Sequence, residues 1–170
     1  MYLTFLGWSK TRTKYIFPRV IEPQIRSFQK PNKVVVILGP RRVGKTFLIQ
    51  CILESSEKSF VFLNGENAGT RDLYFRRTRT SRESMLDGKR FLVIDEAQKI
   101  PDVGNALKLM IDSIERLTVL ITMSSAFDVE NHTGEPLTGR KTTFTLLGIS
   151  EYACVQLFLE DLRPTGNRLD

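Results

Sequence analysis

Along this chain, short runs of consecutive apolar residues alternate with segments whose apolar positions recur every three or four residues. The runs are KVVVIL (Lys33 to Leu38), SFVFLN (Ser59 to Asn64), RFLVID (Arg90 to Asp95), TVLIT (Thr118 to Thr122) and TTFTLL (Thr142 to Leu147). Unbroken apolar runs of that length fit strands covered on both faces, as in parallel sheets. After the first run, Phe47, Leu48, Cys51 and Ile52 share one helical stripe. After the third, Val103, Leu107, Met110, Ile111, Ile114 and Leu117 form another, opened by Asp102 as N-cap. SEYACVQLFLE forms a last one, with Ser150 as its cap. Ahead of the first strand, residues up to about Phe17 read as an extended arm. Val20, Ile21, Ile25 and Phe28 then predict a short helix whose regularity Pro23 limits. Residues 66–88 are polar and arginine-rich, with TRDLYF and SRESML as two short helices. Strand and helix alternate almost throughout, so the expected fold is α/β, a mainly parallel five-stranded sheet with helices on both faces.

Composition narrows the class. With 170 residues, 41% apolar and 26% charged, the chain suits one globular domain with a single core and is not a disordered tail. No apolar run approaches the ~20 residues of a membrane span. The opening MYLTFLGWSKTRTKY turns polar and basic too early for a secretory signal, so the expectation is a soluble cytoplasmic protein without a membrane partner. Cys51 and Cys154 lie far apart in apolar contexts and read as buried thiols. His132 is the single histidine, which excludes chemistry needing two imidazoles. The net charge of +6 is uneven. Lys10, Arg12, Lys14, Arg19, Arg26, Lys30 and Lys33 face only Glu22, and Arg71, Arg76, Arg77, Arg79 and Arg82 face Asp72. Such clusters can attract polyphosphate or nucleic acid, or simply form a solvated surface.

The sharpest chemical signal is Gly39-Pro40-Arg41-Arg42-Val43-Gly44-Lys45-Thr46, which fits G-x-x-x-x-G-K-[ST] between a buried strand and an amphipathic helix. Glycines let the backbone wrap closely around phosphate oxygens, and successive N–H groups make an anion nest to which the helix N-terminus adds its dipole. Lys45 is placed to bridge the β- and γ-phosphates and Thr46 to ligate Mg²⁺; Phe47 completes the set of cofactor-binding candidates. In Phe91-Leu92-Val93-Ile94-Asp95-Glu96, a buried strand delivers two carboxylates to its C-terminal end. Asp95 would hold Mg²⁺ through its water shell, and Glu96 would orient or deprotonate the attacking water. In Thr122-Met123-Ser124-Ser125, Ser124 is the candidate sensor of the γ-phosphate, against an ordinary turn or cap. Arg140, after the Gly134-Glu135-Pro136 turn, is a candidate for neutralising phosphoryl charge, in cis or across a subunit contact that would need an oligomer; a structural ion pair is the other reading.

Together these segments resemble a AAA+ superfamily ATPase, specifically the prokaryotic proteins described as ATP-binding with an N-terminal AAA domain and a C-terminal domain of unknown function. The resemblance is carried by YIFPRV (Tyr15 to Val20), GPRRVGKT, FLVIDEAQKIP (Phe91 to Pro101), the LK of GNALKLMID, SSAFDVEN (Ser124 to Asn131), GEPLTGRK (Gly134 to Lys141) and LLGISEY (Leu146 to Tyr152). It implies strand order 5-1-4-3-2, ATP or ADP with Mg²⁺ as ligands, Lys45 and Thr46 at phosphate and metal, Asp95 and Glu96 as the acidic pair, and Ser124 at the sensor position. It also implies an N-terminal arm and helix over 1–32 and the ATP-binding domain over 33–170. Relatives usually carry glycine in place of Met123, so a bulkier or displaced sensor loop is expected. Relatives also continue beyond the fifth strand and its helix into a lid, so slow turnover is expected here.

Three functions follow. The first is a Mg²⁺-dependent ATPase core. The second is a non-hydrolysing, nucleotide-dependent module that contacts DNA or a protein through its arginines. The third is a small-molecule kinase with the Arg76 to Arg82 segment as lid, although adjacent Asp95 and Glu96 suit water activation better.

Overall fold

The computed structural model describes residues 19–70, 79–124 and 137–148. The expected helix after Ser150, Cys154, His132, the 134–136 turn and most of the second arginine cluster lie outside them. The elements run α1 (Glu22–Ser27), β1 (Lys33–Gly39), α2 (Lys45–Glu54), β2 (Phe60–Asn64), α3 (Arg79–Leu86), β3 (Phe91–Asp95), a 3₁₀ turn (Ala97–Lys99), α4 (Val103–Ser113), β4 (Thr118–Ser124) and β5 (Lys141–Thr145). The strands form one sheet of order β2-β3-β4-β1-β5, every adjacent pair parallel. This is the expected 5-1-4-3-2 order.

Alternation along the strands sorts the side chains into two layers. Val34, Val36, Leu92, Ile94, Val119 and Ile121 pack with α3 and α4. On the other face Val35, Ile37, Phe91, Val93 and Leu120 pack with α2 and with Ile25 of α1. The middle strands β3 and β4 are buried at every position, and the edge strand β5 is half exposed. Parallel connections place all five C-terminal strand ends on one rim of the sheet, where α/β proteins bind ligands.

Several local expectations shift. The buried stripe of α2 is Leu48, Ile49, Ile52 and Leu53, rotated from the expected one, so Phe47 is exposed and Cys51 only half-buried. Burial and the nearby Glu22 and Glu54 carboxylates push the Cys51 thiol upward, which keeps it protonated and unreactive at neutral pH. Pro23 falls within the first two positions of α1, where its missing N–H costs nothing, and Val20 stands in solvent rather than on the helix's packed face. Asp102 does occupy the N-cap of α4, but its carboxylate accepts from Asn105 Nδ2 at 2.7 Å and caps no backbone N–H.

The first basic cluster is partly spent inside the chain. Arg26 pairs with Glu22 at 2.5 Å and donates to the last-turn carbonyls of Cys51 and Ile52, each at 3.1 Å, which fastens α1 to the negative end of α2. Lys33 donates to Gly139 O at 2.7 Å, and Arg19 to Val43 O and Leu147 O.

Candidate nucleotide site

The segment joining β1 to α2 departs from extended backbone through two left-handed residues, Arg42 (φ 66°) and Gly44 (φ 95°). Among the described residues nothing would crowd a β-carbon at Gly44, so its glycine answers to conformation. Gly39 answers to space: a β-carbon there would overlap the carbonyl oxygen of Leu146, whose N–H bonds Leu38 O at 2.6 Å as the chain leaves β5. The glycine expected to admit phosphate thus also admits a neighbouring backbone. Gly44 is the N-cap of the ten-residue α2 and no side chain among the described residues caps that terminus, so its first N–H groups face the loop, the arrangement that binds anions. Pro40, Arg41 and Arg42 are exposed and Val43 half-buried.

Lys45 turns back under this loop. Its side chain is buried, and Nζ donates to Gly39 O at 3.0 Å and Pro40 O at 2.9 Å. A buried ammonium needs such partners, and both are carbonyls it can exchange for phosphate oxygens. One residue on, Thr46 Oγ1 donates to Asp95 Oδ2 at 2.7 Å, across 49 positions of sequence.

Strand alternation explains why Asp95 is there. Phe91 and Val93 face α2, so Asp95 at the end of the same strand does too. The same parity on β4 carries Leu120, Thr122 and Ser124 to that face. Thr122, fully buried, donates its hydroxyl to Asp95 Oδ1, and its own Oγ1 accepts the Glu96 N–H at 2.9 Å. Both carboxylate oxygens of Asp95 are therefore held by hydroxyls.

Glu96 itself turns the chain out of the sheet with φ 52°, a left-handed conformation that non-glycine residues seldom adopt. Its carboxylate Oε2 accepts from Gln98 Nε2. Beneath it Gly65 donates to Asp95 O at 2.8 Å, and a β-carbon on Gly65 would overlap the Glu96 carbonyl oxygen.

The structure brings Gly39, Pro40, Arg41, Arg42, Val43, Gly44, Lys45, Thr46, Asp95, Glu96 and Ser124 to one rim. Ser124 is buried and registers with Gly39 across the β1–β4 pair. Met123 points into the opposite core layer, so its bulk is absorbed there and not on the face that carries Ser124. Phe47 follows in α2 with its ring partly in solvent.

Arg140 is not brought there. It precedes β5, whose first residue registers with Val34, so it sits at the start of β1 while the phosphate loop follows its end. Seven residues of strand separate the two, roughly 20 Å at the usual rise. Its guanidinium pairs with Asp112 of α4 instead. The role in cis toward its own phosphate loop is thus replaced by the ion pair.

Sequence reading missed three members of this cluster: Thr122, Gln98 and Gly65. Thr122 was visible by parity, since it shares a face with Leu120. Gly65 directly follows SFVFLN and by sequence is indistinguishable from any turn glycine, because the neighbour that excludes a β-carbon, the Glu96 carbonyl, follows another strand.

A glycine-bearing loop closed on a buried lysine, a capless helix N-terminus and a threonine–aspartate pair on the C-terminal rim of a parallel sheet define a P-loop nucleotide-binding domain. Comparison with family models agrees: the AAA domain model matches residues 31–153, well over half of the chain, and the protein belongs to that family. No match was found among curated proteins. Among the described residues, no helix is long and apolar enough to cross a membrane.

Proposed function

We propose that this protein binds ATP with Mg²⁺ and hydrolyses it to ADP and phosphate. The observation that carries the reading is the meeting of Thr46 with Asp95 at 2.7 Å directly beneath the phosphate loop, with Glu96 next in the chain.

The donor set suits the metal. Mg²⁺ takes hard oxygen ligands, few of them from protein, and leaves the rest to water and phosphate. Thr46 Oγ1 and the Asp95 carboxylate are two such oxygens, and among the described residues there is no cluster of three or more His, Cys, Asp or Glu that would suit a protein-caged ion. Thr46 would bind Mg²⁺ directly and Asp95 through its water. The ion's contribution there is charge neutralisation on the β- and γ-phosphate oxygens.

The protein's own residues do the rest. Backbone N–H groups of residues 39–46 bind the phosphates, and Lys45 leaves the Gly39 and Pro40 carbonyls to bridge the β- and γ-oxygens. Glu96, half-exposed on the rim, orients a water for in-line attack on the γ-phosphorus and accepts its proton. Ser124, in register with Gly39, would hydrogen-bond the γ-phosphate.

The test is phosphate release by wild type and Glu96→Gln alongside ATP affinity. Loss of a general base lowers turnover about 10²–10⁴-fold, and the variant is expected to bind ATP as tightly as wild type. Equal, slow release from both with affinity intact would favour a nucleotide-gated binding module. Transfer of labelled phosphate to a metabolite in place of water would favour a kinase. The DNA-binding form of the module loses support from Arg19, Arg26 and Lys33, which serve carbonyls and a carboxylate of this same chain.

A further inference from the structure

Gln98 is buried to 7% exposure two residues beyond Glu96, in the 3₁₀ turn that follows β3. Among the described residues its side chain makes one hydrogen bond, Nε2 to Glu96 Oε2, while its carbonyl Oε1 is fully buried with no hydrogen-bond partner there. An amide in such a place costs stability, because one of its two ends has lost water and gained nothing. A methionine or leucine of similar size would fill the space without that cost. What the amide supplies, and an apolar residue would not, is a donor aimed at the Glu96 carboxylate.

The rest of Glu96 is held just as firmly. Its N–H is bonded to Thr122 Oγ1 at 2.9 Å, and its carbonyl rests against Gly65, where no β-carbon fits. The left-handed backbone at φ 52° is thereby fixed, and the side-chain torsions are the freedom left to the residue. Gln98 removes that freedom. A general base must be aimed as well as near, and misplacement by an ångström is costly.

We propose that Gln98 is a positioning residue: its amide fixes one oxygen of Glu96 and leaves the other, Oε1, to face the attacking water. This rests on the reading of Glu96 as the base, and it adds a residue that acts only through Glu96.

The experiment is a double-mutant cycle on the full chain with Gln98→Met, Glu96→Gln and the double variant. It follows single-turnover hydrolysis, ATP affinity and melting temperature. Gln98→Met is expected to slow hydrolysis about 10–100-fold, by analogy with the loss of a residue that orients a metal ligand, and to leave ATP affinity within about twofold. In the Glu96→Gln background the same substitution is expected to cost nothing further, since what it positions is gone. A cost of equal factor in both backgrounds, or hydrolysis at the wild-type rate in Gln98→Met, would overturn the proposal. Hydrolysis at the wild-type rate in Glu96→Gln would instead overturn the assignment of the base itself.

A second measurement needs no Gln98 variant. In ¹H–¹⁵N spectra of the nucleotide-free protein, the Gln98 side-chain proton bonded to the carboxylate should be shifted downfield and protected from exchange, and both signatures should vanish in Glu96→Ala. Their presence in both proteins, or in neither, would overturn the contact on which the proposal stands.

Discussion

The two ends of the central sheet treat polar side chains in opposite ways. At the C-terminal rim, Lys45, Asp95, Thr122 and Gln98 are buried and bonded largely to one another or to nearby carbonyls. At the N-terminal end, Arg140 and Asp112 pair with much of each side chain in solvent. An exposed pair contributes about 0–1 kcal/mol and can be lost with little consequence. A buried group left without its partner costs about 1–3 kcal/mol. On the proposed reading the rim spends stability on contacts that a triphosphate and its ion would take over, whereas the ion pair at the opposite end fastens the start of β5 to α4.

Substitutions should separate the two ends. Lys45→Ala removes the ammonium expected to bind phosphate, and hydrogen bonds to charged groups are worth about 1.5–3 kcal/mol. Calorimetric titration with Mg-ATP is expected to show roughly a 10–100-fold loss of affinity; unchanged affinity would leave the rim without a nucleotide role. Next in size is Gly65→Ala, which drives a β-carbon onto the Glu96 carbonyl, so that backbone must move. Overpacking of this kind costs about 1–3 kcal/mol, read as a fall in the denaturation midpoint, with hydrolysis slowed as Glu96 is displaced. Thr122→Val keeps the shape but deprives Asp95 of a donor and the Glu96 N–H of its acceptor. A loss of about 1–2 kcal/mol is expected in urea denaturation, along with weaker metal dependence of nucleotide binding. Smallest is Arg140→Ala, at about 0–1 kcal/mol and with nucleotide affinity unchanged. A loss there matching that of Thr122→Val would erase the contrast between the ends.

Much of the rim is legible from local pattern. The spacing from Gly39 to Thr46 and the four apolar residues ahead of Asp95 and Glu96 announce their chemistry within single segments. Thr122 and Gln98 do not, since a threonine near a strand end and a glutamine in a turn are ordinary residues until another strand stands beside them. Arg140 shows the reverse failure. A loop arginine beside glycine looks free to meet a phosphate, yet the register of β5 on β1 carries it to the far end of the sheet. The exposed Phe47 has the same lesson at smaller scale: helical periodicity finds a stripe, but which of two adjacent stripes faces inward is set by how the helix leaves the phosphate loop.

The chain's own order of residues determined the alternation of strands and helices, the parallel sheet and the identity of the phosphate loop and acidic pair, because periodicity and short-range spacing are properties of neighbours in sequence. Only the folded sheet decided that Thr122 holds Asp95, that Gly39 and Gly65 must lack side chains, that Gln98 grips Glu96 and that Arg140 stands apart. Those facts depend on which strand lies next to which and in what register. Distant segments fix them jointly through packing and hydrogen bonding, and no single stretch of residues encodes them.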